Sequence, residues 1–179
     1  MIIELLYFLL PAAFANIMPV FVKHHFRSLA YPLDFKKKFI DEKRLLGEHK
    51  TFRGLVFGII GAMTISLVQK YLHNYYLFNA ISLINYQEIN ILVFGFLVGI
   101  GVIIGDALGS FVKRRVNVKP GKSLYLIDQA SSIIGIGIFV LPFYLPSLEI
   151  FLYLFIIWTI GHFIIKFIGY LLKIDKNAI

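Results

Sequence analysis

Two aspartates with a run of cations between them dominate the chemistry open to this chain. Residues 105–129 read GDALGSFVKRRVNVKPGKSLYLIDQ. Asp106 stands inside an apolar run, Lys113, Arg114 and Arg115 stand where that run ends, and Asp128 stands where the next begins. A carboxylate kept inside a hydrocarbon segment is costly and marks a functional position by default. Mg2+ takes oxygen ligands and is commonly held by one or two carboxylates together with substrate phosphates. Lys and Arg bind further phosphate oxygens and offset the charge that moves to a leaving group. Acidic and basic groups together therefore suit a polyphosphate with its metal better than they suit either alone. The competing reading is a structural ion pair of Asp106 with Lys113 or Arg114, the basic run only marking the inner side of a membrane.

These groups need helices to hold them. The chain has 179 residues, of which 59% are hydrophobic, and a mean hydropathy of +0.80, too apolar for an ordinary soluble domain. A membrane span takes about 20 largely apolar residues. Five segments qualify: about 1–22, 54–77, 91–112, 128–146 and 148–171. The short alternating segments of a β-barrel are missing. The expectation is an all-α integral membrane protein with five transmembrane helices, forming one domain over 1–179. Glu4 and the lack of a basic start argue against a signal peptide, so the first segment reads as a retained helix. With no cysteine, disulfides, thiolate metal sites and thiol catalysis are excluded.

The net charge of +8 is unevenly placed. Segment 23–53 carries nine Lys/Arg, segment 113–127 five, and the C-terminal end Lys166, Lys173 and Lys176. Five helices put all of these, 17 of the 18 Lys/Arg, on one side. The positive-inside rule then sets the N-terminus outside, the C-terminus in the cytoplasm, and loops 23–53 and 113–127 cytoplasmic.

On a helix, Asp106, Ser110 and Lys113 share one face, and Asp106 lies roughly 10 Å below Lys113. A short loop containing Pro120 and Gly121 makes the next helix an antiparallel neighbour, so Asp128 converges on the same mouth. Asn16 lies between Pro11 and Pro19, which free backbone groups that need other partners; it either bonds a neighbouring helix or lines a polar cavity. Gly54, Gly58 and Gly61, and likewise Gly101, Gly105 and Gly109, form faces for close helix contact. Trp158, His162 and Lys166 share one face of the last helix, where His162 reads as packed within the bundle and Lys166 as snorkelling inward. Adjacent His24 and His25 point apart and make a poor metal site. Loop 23–53 carries Asp34, Asp41 and the run GEHKTFRG, more than headgroup attraction requires.

At these residues the chain resembles a known family. Ser110-Phe111-Val112-Lys113-Arg114, followed four residues later by Lys119, is similar to the signature of the CDP-diacylglycerol synthases. Other motifs resemble their smaller archaeal-type relatives, the CDP-archaeol synthases: Leu10-Pro11-Ala12, Ala15-Asn16, Pro19, Pro32-Leu33-Asp34, and Arg44-Leu45-Leu46-Gly47 with His49 through Gly54. Gly105-Asp106, Lys113-Arg114-Arg115, Lys119-Pro120-Gly121 and Asp128-Gln129 complete the match. Several spaced motifs in order are a stronger signal than one short pattern. The resemblance implies an Mg2+-dependent reaction in the cell membrane in which CTP and a lipid phosphate, 2,3-di-O-geranylgeranylglyceryl phosphate, give a CDP-lipid and pyrophosphate on the cytoplasmic side. It implies Asp106 and Asp128 as metal-linked carboxylates, with Lys113 and Lys119 as catalytic cations. It further implies Asn16, Asp34, Asp41, Arg44, His49, Lys50, Thr51, Arg53, Ser110, Arg114, Arg115 and Gln129 as contacts of CTP or the lipid phosphate. The partners implied are these two substrates and membrane lipids, with no nucleic acid; homo-oligomerisation stays open.

The chain departs from the family pattern in three places. Ser131 stands where a further aspartate is usual. Phe35-Lys36 and Asp41-Glu42 stand where glycines are usual. The His-Gly-Gly element of the larger diacylglycerol enzymes is missing. Two other readings stay open, a CTP-dependent polyprenol kinase-like enzyme and a small membrane transporter.

Overall fold

The computed structural model describes residues 1–118, 124–144 and 147–171, without the side chains at 125, 126, 129 and 165–171. Its helices are α1 (Ile2–Phe21), α2 (Phe52–Leu72), the short α3 (Tyr76–Ala80), α4 (Ile91–Arg115), α5 (Tyr125–Tyr144) and α6 (Leu148–Leu171). The described residues contain no strand, only isolated antiparallel bridges Pro32–Thr51 and Lys38–Arg44 in the loop before α2. α1, α2 and α4 are long and apolar enough to cross a membrane; the described apolar stretches of α5 and α6, Ala130–Tyr144 and Leu148–Ile164, are shorter.

Helix ends differ from the sequence expectation where capping decides them. α2 begins at Phe52 because the Thr51 hydroxyl accepts the Gly54 N–H at 3.2 Å, an N-cap that satisfies one orphan donor. α4 continues through Arg115 and stops at Asn117, whose left-handed φ of 62° lets Val118 N–H reach the Lys113 carbonyl at 3.0 Å. That is a helix-terminating turn for which Asn is second only to Gly. α5 starts at Tyr125, so Asp128 lies in its first turn. The chain after α2 folds in part as the short α3.

Glycine faces set the packing. A Cβ on Gly101 would sit 2.9 Å from the Gly135 carbonyl oxygen, and one on Gly109 would sit 2.7 Å from Ser131 Oγ. A Cβ on Gly105 would overlap the Ser131 carbonyl. α4 and α5 therefore pack backbone to backbone. Gly58 and Gly61 bring α2 onto the Ala15 and Phe14 carbonyls of α1. A second α4 face, not singled out in the sequence, puts Gly95 and Gly99 against the backbone of Met63 and Ile59 in α2. Pro11 leaves the Tyr7 carbonyl without its helical donor, and Gln69 Nε2 of α2 supplies one at 2.6 Å. The buried Phe8, Tyr86 and Phe94 fill the far end of the bundle.

Candidate active site

Loop 23–51 is folded around one carboxylate. Asp34 is buried and accepts five hydrogen bonds. Three come from the backbone N–H groups of Lys36 (3.0 Å), Leu46 (3.2 Å) and Gly47 (3.1 Å). Two come from Arg44, through Nη2 at 2.8 Å and Nε at 3.3 Å. Burial alone would raise its pKa, but the Arg44 bonds and these N–H groups outweigh it and hold the group at about 2. Gly47 has φ of +112°, a conformation reserved for glycine, and this aims two successive N–H groups at the carboxylate. Phe35, Lys36 and Glu42 have φ of 49°, 61° and 60°, so positions where glycines are usual in the resembled family are left-handed here.

The loop is latched to the end of α4 by Arg115. Its Nε lies 3.1 Å from Asp41 Oδ2, and Nη2 donates to the Arg44 carbonyl at 2.6 Å. The guanidinium stacks over Phe111 and Phe39 at 4.6 and 5.1 Å. Lys43 Nζ donates to the Arg115 carbonyl at 3.2 Å, satisfying one of the orphan acceptors at the helix end.

This latch delivers Lys50 to Asp106. Lys50 precedes the α2 N-cap, and its carbonyl accepts the Leu33 N–H at 2.7 Å. Its Nζ forms an ion pair with Asp106 Oδ2. A second pair joins Lys113 Nζ of α4 to Asp128 Oδ1 of α5, whose other oxygen accepts the Leu124 N–H at 3.0 Å. The pairing differs from the ion pair open in the sequence: Asp106 takes its cation from the loop, and Lys113 takes its carboxylate from α5. Both aspartates stay about one-third exposed, at 34% and 29%.

Most of the other expected residues lie on α1, the loop and the ends of α2 and α4. Ser110 and Arg114 are buried on α4. Asn16 Nδ2 is buried without a hydrogen-bond partner among the described residues. Thr51 caps α2, Arg53 donates to the His25 carbonyl at 3.0 Å, and His49 is exposed. Lys119, Pro120 and Gly121 lie outside the described residues, as do the side chains of Gln129 and Lys166. Among the described residues no three His, Cys, Asp or Glu gather into a metal cluster. Ser131 is buried against Gly109, and its Oγ has no partner among the described residues.

Sequence reasoning placed His162 in the bundle without linking it to the centre. The structure brings it within electrostatic reach of both Asp106 and Asp128. The one signal available was its four-residue spacing from Trp158, whose ring it meets at 4.8 Å between centroids.

Comparison with known proteins gives a consistent result. A family model described as CarS-like, CDP-archaeol synthase, matches residues 1–178. The CDP-archaeol synthase of Methanocaldococcus jannaschii is 36% identical over 132 residues, 72% of this chain and 74% of that protein. The CDP-archaeol synthases of Methanococcus maripaludis strain C7 and Pyrococcus furiosus are 32% and 31% identical, each over 96% of this chain and 93% and 95% of their own lengths. A solved structure reported as "Structural insight into an intramembrane enzyme for archaeal membrane lipids biosynthesis" superposes with a TM-score of 0.70 at 24% identity. That match covers 90% of this chain and 92% of the other, and it shows a shared fold.

Proposed function

The chain belongs to the CDP-archaeol synthase family, and on that footing we propose that it transfers the cytidylyl group of CTP to 2,3-di-O-geranylgeranylglyceryl phosphate, releasing pyrophosphate. It is an integral-membrane cytidylyltransferase. The observation that carries the reading is the pair of half-open carboxylates, Asp106 and Asp128, each held by one exchangeable lysine.

A lipid phosphate oxygen attacks the α-phosphorus of CTP in line. The new oxygen–phosphorus bond forms as the bond to the β-phosphate breaks, and pyrophosphate leaves. The acceptor is already anionic near neutral pH, so no strong base is needed. Two carboxylates with room for phosphate oxygens fit Mg2+, which is commonly bound by one or two carboxylates plus substrate phosphates. Asp106 and Asp128 would hold it, and when bound it neutralises charge on the triphosphate. Lys50 and Lys113 keep the aspartates neutralised before nucleotide binds. They then turn to the phosphates, where cations stabilise the leaving group. Arg114 belongs to the same basic cluster at the end of α4, and Lys119 serves as a further triphosphate contact. Asp34, Asp41, Arg44 and Arg115 position this machinery by folding the loop, and Thr51 by starting α2. Asn16, whose Nδ2 is buried without a partner among the described residues, offers a further donor.

Five spans fit this arrangement, with α5 and α6 crossing beside α1, α2 and α4 and the site on the cytoplasmic side. The latch places the basic loop at the end of α4 that bears Lys113, Arg114 and Arg115, which agrees with the one-sided distribution of cations.

Purified protein incubated with labelled CTP, Mg2+ and the ether-lipid phosphate should form CDP-lipid and pyrophosphate. CDP with a phosphorylated alcohol would instead select a kinase and overturn the proposal. Asp106→Asn and Asp128→Asn should each lower turnover by at least 100-fold with the fold retained; near-normal activity would remove that residue from the mechanism. Lys119→Ala should chiefly raise the KM for CTP.

A further inference from the structure

Polar groups that the loop and α4 do not account for gather on α6. Trp158 is 6% exposed, and among the described residues neither its Nε1 nor the buried Thr159 Oγ1 has a hydrogen-bond partner. His162 follows one turn later, its ring tilted against Trp158 at an interplanar angle of 49°. A buried donor without a partner is costly, so an unmatched indole and hydroxyl beside an imidazole mark a place where a ligand or water supplies the acceptor. The opposite face of α6 is apolar and exposed, with Leu152, Ile156, Ile160 and Phe163, as suits a helix against lipid.

With the five spans proposed above, depth puts this group level with the reacting centre. Asn16 lies fourteen residues after the start of α1, Asp106 fifteen after the start of α4, and His162 fourteen after the start of α6. At about 1.5 Å per residue all three are roughly 21–22 Å from those ends. Packing supports the same level independently. Gly58 of α2 touches both the Ala15 carbonyl and Ile103, neighbours of Asn16 and Asp106, and α6 packs on α1 and α5. His162 lies within electrostatic reach of Asp106 and Asp128.

We propose that α6 receives the phosphate of the lipid acceptor, with His162 as the donor that binds it and with Trp158 and Thr159 completing the subsite. This rests on the cytidylyl-transfer reading. In-line displacement requires the attacking and leaving oxygens to lie on opposite sides of the α-phosphorus. The pyrophosphate end belongs to the rim at Lys113 and Arg114, so the acceptor comes from the deeper side. That is the level of His162, on a helix whose other face meets the bilayer that holds the lipid chains.

Trp158 is the one tryptophan in the chain, so intrinsic emission reports on this subsite directly. A short-chain dialkylglyceryl phosphate titrated into the purified protein without CTP should change Trp158 emission saturably. His162→Ala should weaken that binding about tenfold or more, the loss expected for a hydrogen bond to a charged group. His162→Gln, which keeps an N–H donor, should stay within about threefold of wild type, and both variants should bind Mg-CTP normally, showing that the fold is intact. Emission unmoved by the lipid phosphate would overturn the subsite, as would equal losses of lipid phosphate and CTP binding in His162→Ala. The two proposals fail separately. Wild-type CDP-lipid synthesis with silent Trp158 refutes the subsite alone; saturable Trp158 binding without CDP-lipid refutes the reaction alone.

Discussion

Replacing Arg115 with Ala separates a latch from a phosphate contact, since its position beside Lys113 and Arg114 suits either. The side chain is only 20% exposed. Its bond to the Arg44 carbonyl at 2.6 Å has a charged donor, worth about 1.5–3 kcal/mol. Its ion pair with Asp41, itself one-third exposed, adds at most about 1 kcal/mol after solvent screening. Stacking on Phe39 and Phe111 adds about 0.5–1 kcal/mol at a partly exposed site. With non-additivity, the folded loop should lose about 2–4 kcal/mol, which multiplies the population of the open loop roughly 30- to 1,000-fold. Lys36, Lys37 and Lys38 lie in this loop, so tryptic nicking there reads that population directly while opening is fast relative to cleavage. Without nucleotide, Arg115→Ala in nanodiscs should be nicked at least about 30 times faster than wild type. Arg115→Lys should recover little, because an ammonium lacks the planar fork that bonds and stacks at once. Unchanged nicking with a raised KM for CTP would refute the latch and return Arg115 to the triphosphate.

Other predictions follow from the same contacts. The folded pKa of Asp34, about 2, lies below its ordinary 3.8, so its contribution of about 2 kcal/mol is present above the ordinary value and lost as pH falls through the folded one. Hydrogen-exchange protection of the Leu46 and Gly47 amides should hold at pH ~5 and decay toward pH ~2, while Asp34→Asn should show weak protection throughout. Gly105→Ala forces a Cβ into the Ser131 carbonyl and should destabilise the protein by about 1–3 kcal/mol or more. Gly161→Ala meets no described atom within 4 Å and should be neutral or stabilising by up to about 1 kcal/mol; thermal unfolding in detergent reads both. Glu42→Gly relieves a left-handed residue costing about 1–2 kcal/mol, of which greater unfolded-chain freedom cancels about 0.4–1 kcal/mol. It should therefore slow loop nicking a few-fold.

Hydrophobic run length and helical spacing made the long helices, the α4–α5 glycine seam and the shared face of Asp106, Ser110 and Lys113 readable from sequence, because each depends on residues within a few turns. Partner choice was not readable. Lys50 reaches Asp106 across 56 positions, and Arg115 reaches Arg44 across 71. Both depend on how the loop folds around Asp34, which is set by backbone N–H directions that no periodicity records. The left-handed residues Phe35, Lys36 and Glu42 show the limit from the other side. Their sequence argues against the conformation they adopt, and the Asp34 and Arg115 contacts impose it. His162 was hidden for a third reason: on an apolar helix, one imidazole in a packed face looks the same whether it faces a leucine or a carboxylate.

The number of bonds on each carboxylate decides which of them can take an incoming cation or release a lysine. Asp34 accepts five hydrogen bonds, three of them from backbone. Freeing it means unfolding the loop. Among the described residues Asp106 has its bond to Lys50, and Asp128 has those to Lys113 and Leu124. A lysine on a flexible stem, paired at a partly exposed carboxylate, exchanges at little cost. The family resemblance grouped Asp34, Asp41, Asp106 and Asp128 around one set of substrates. Bond count sets Asp34 apart as the carboxylate that holds the loop shut, whereas Asp106 and Asp128 can exchange partners, as the proposed role with a nucleotide that arrives and leaves in every turnover requires.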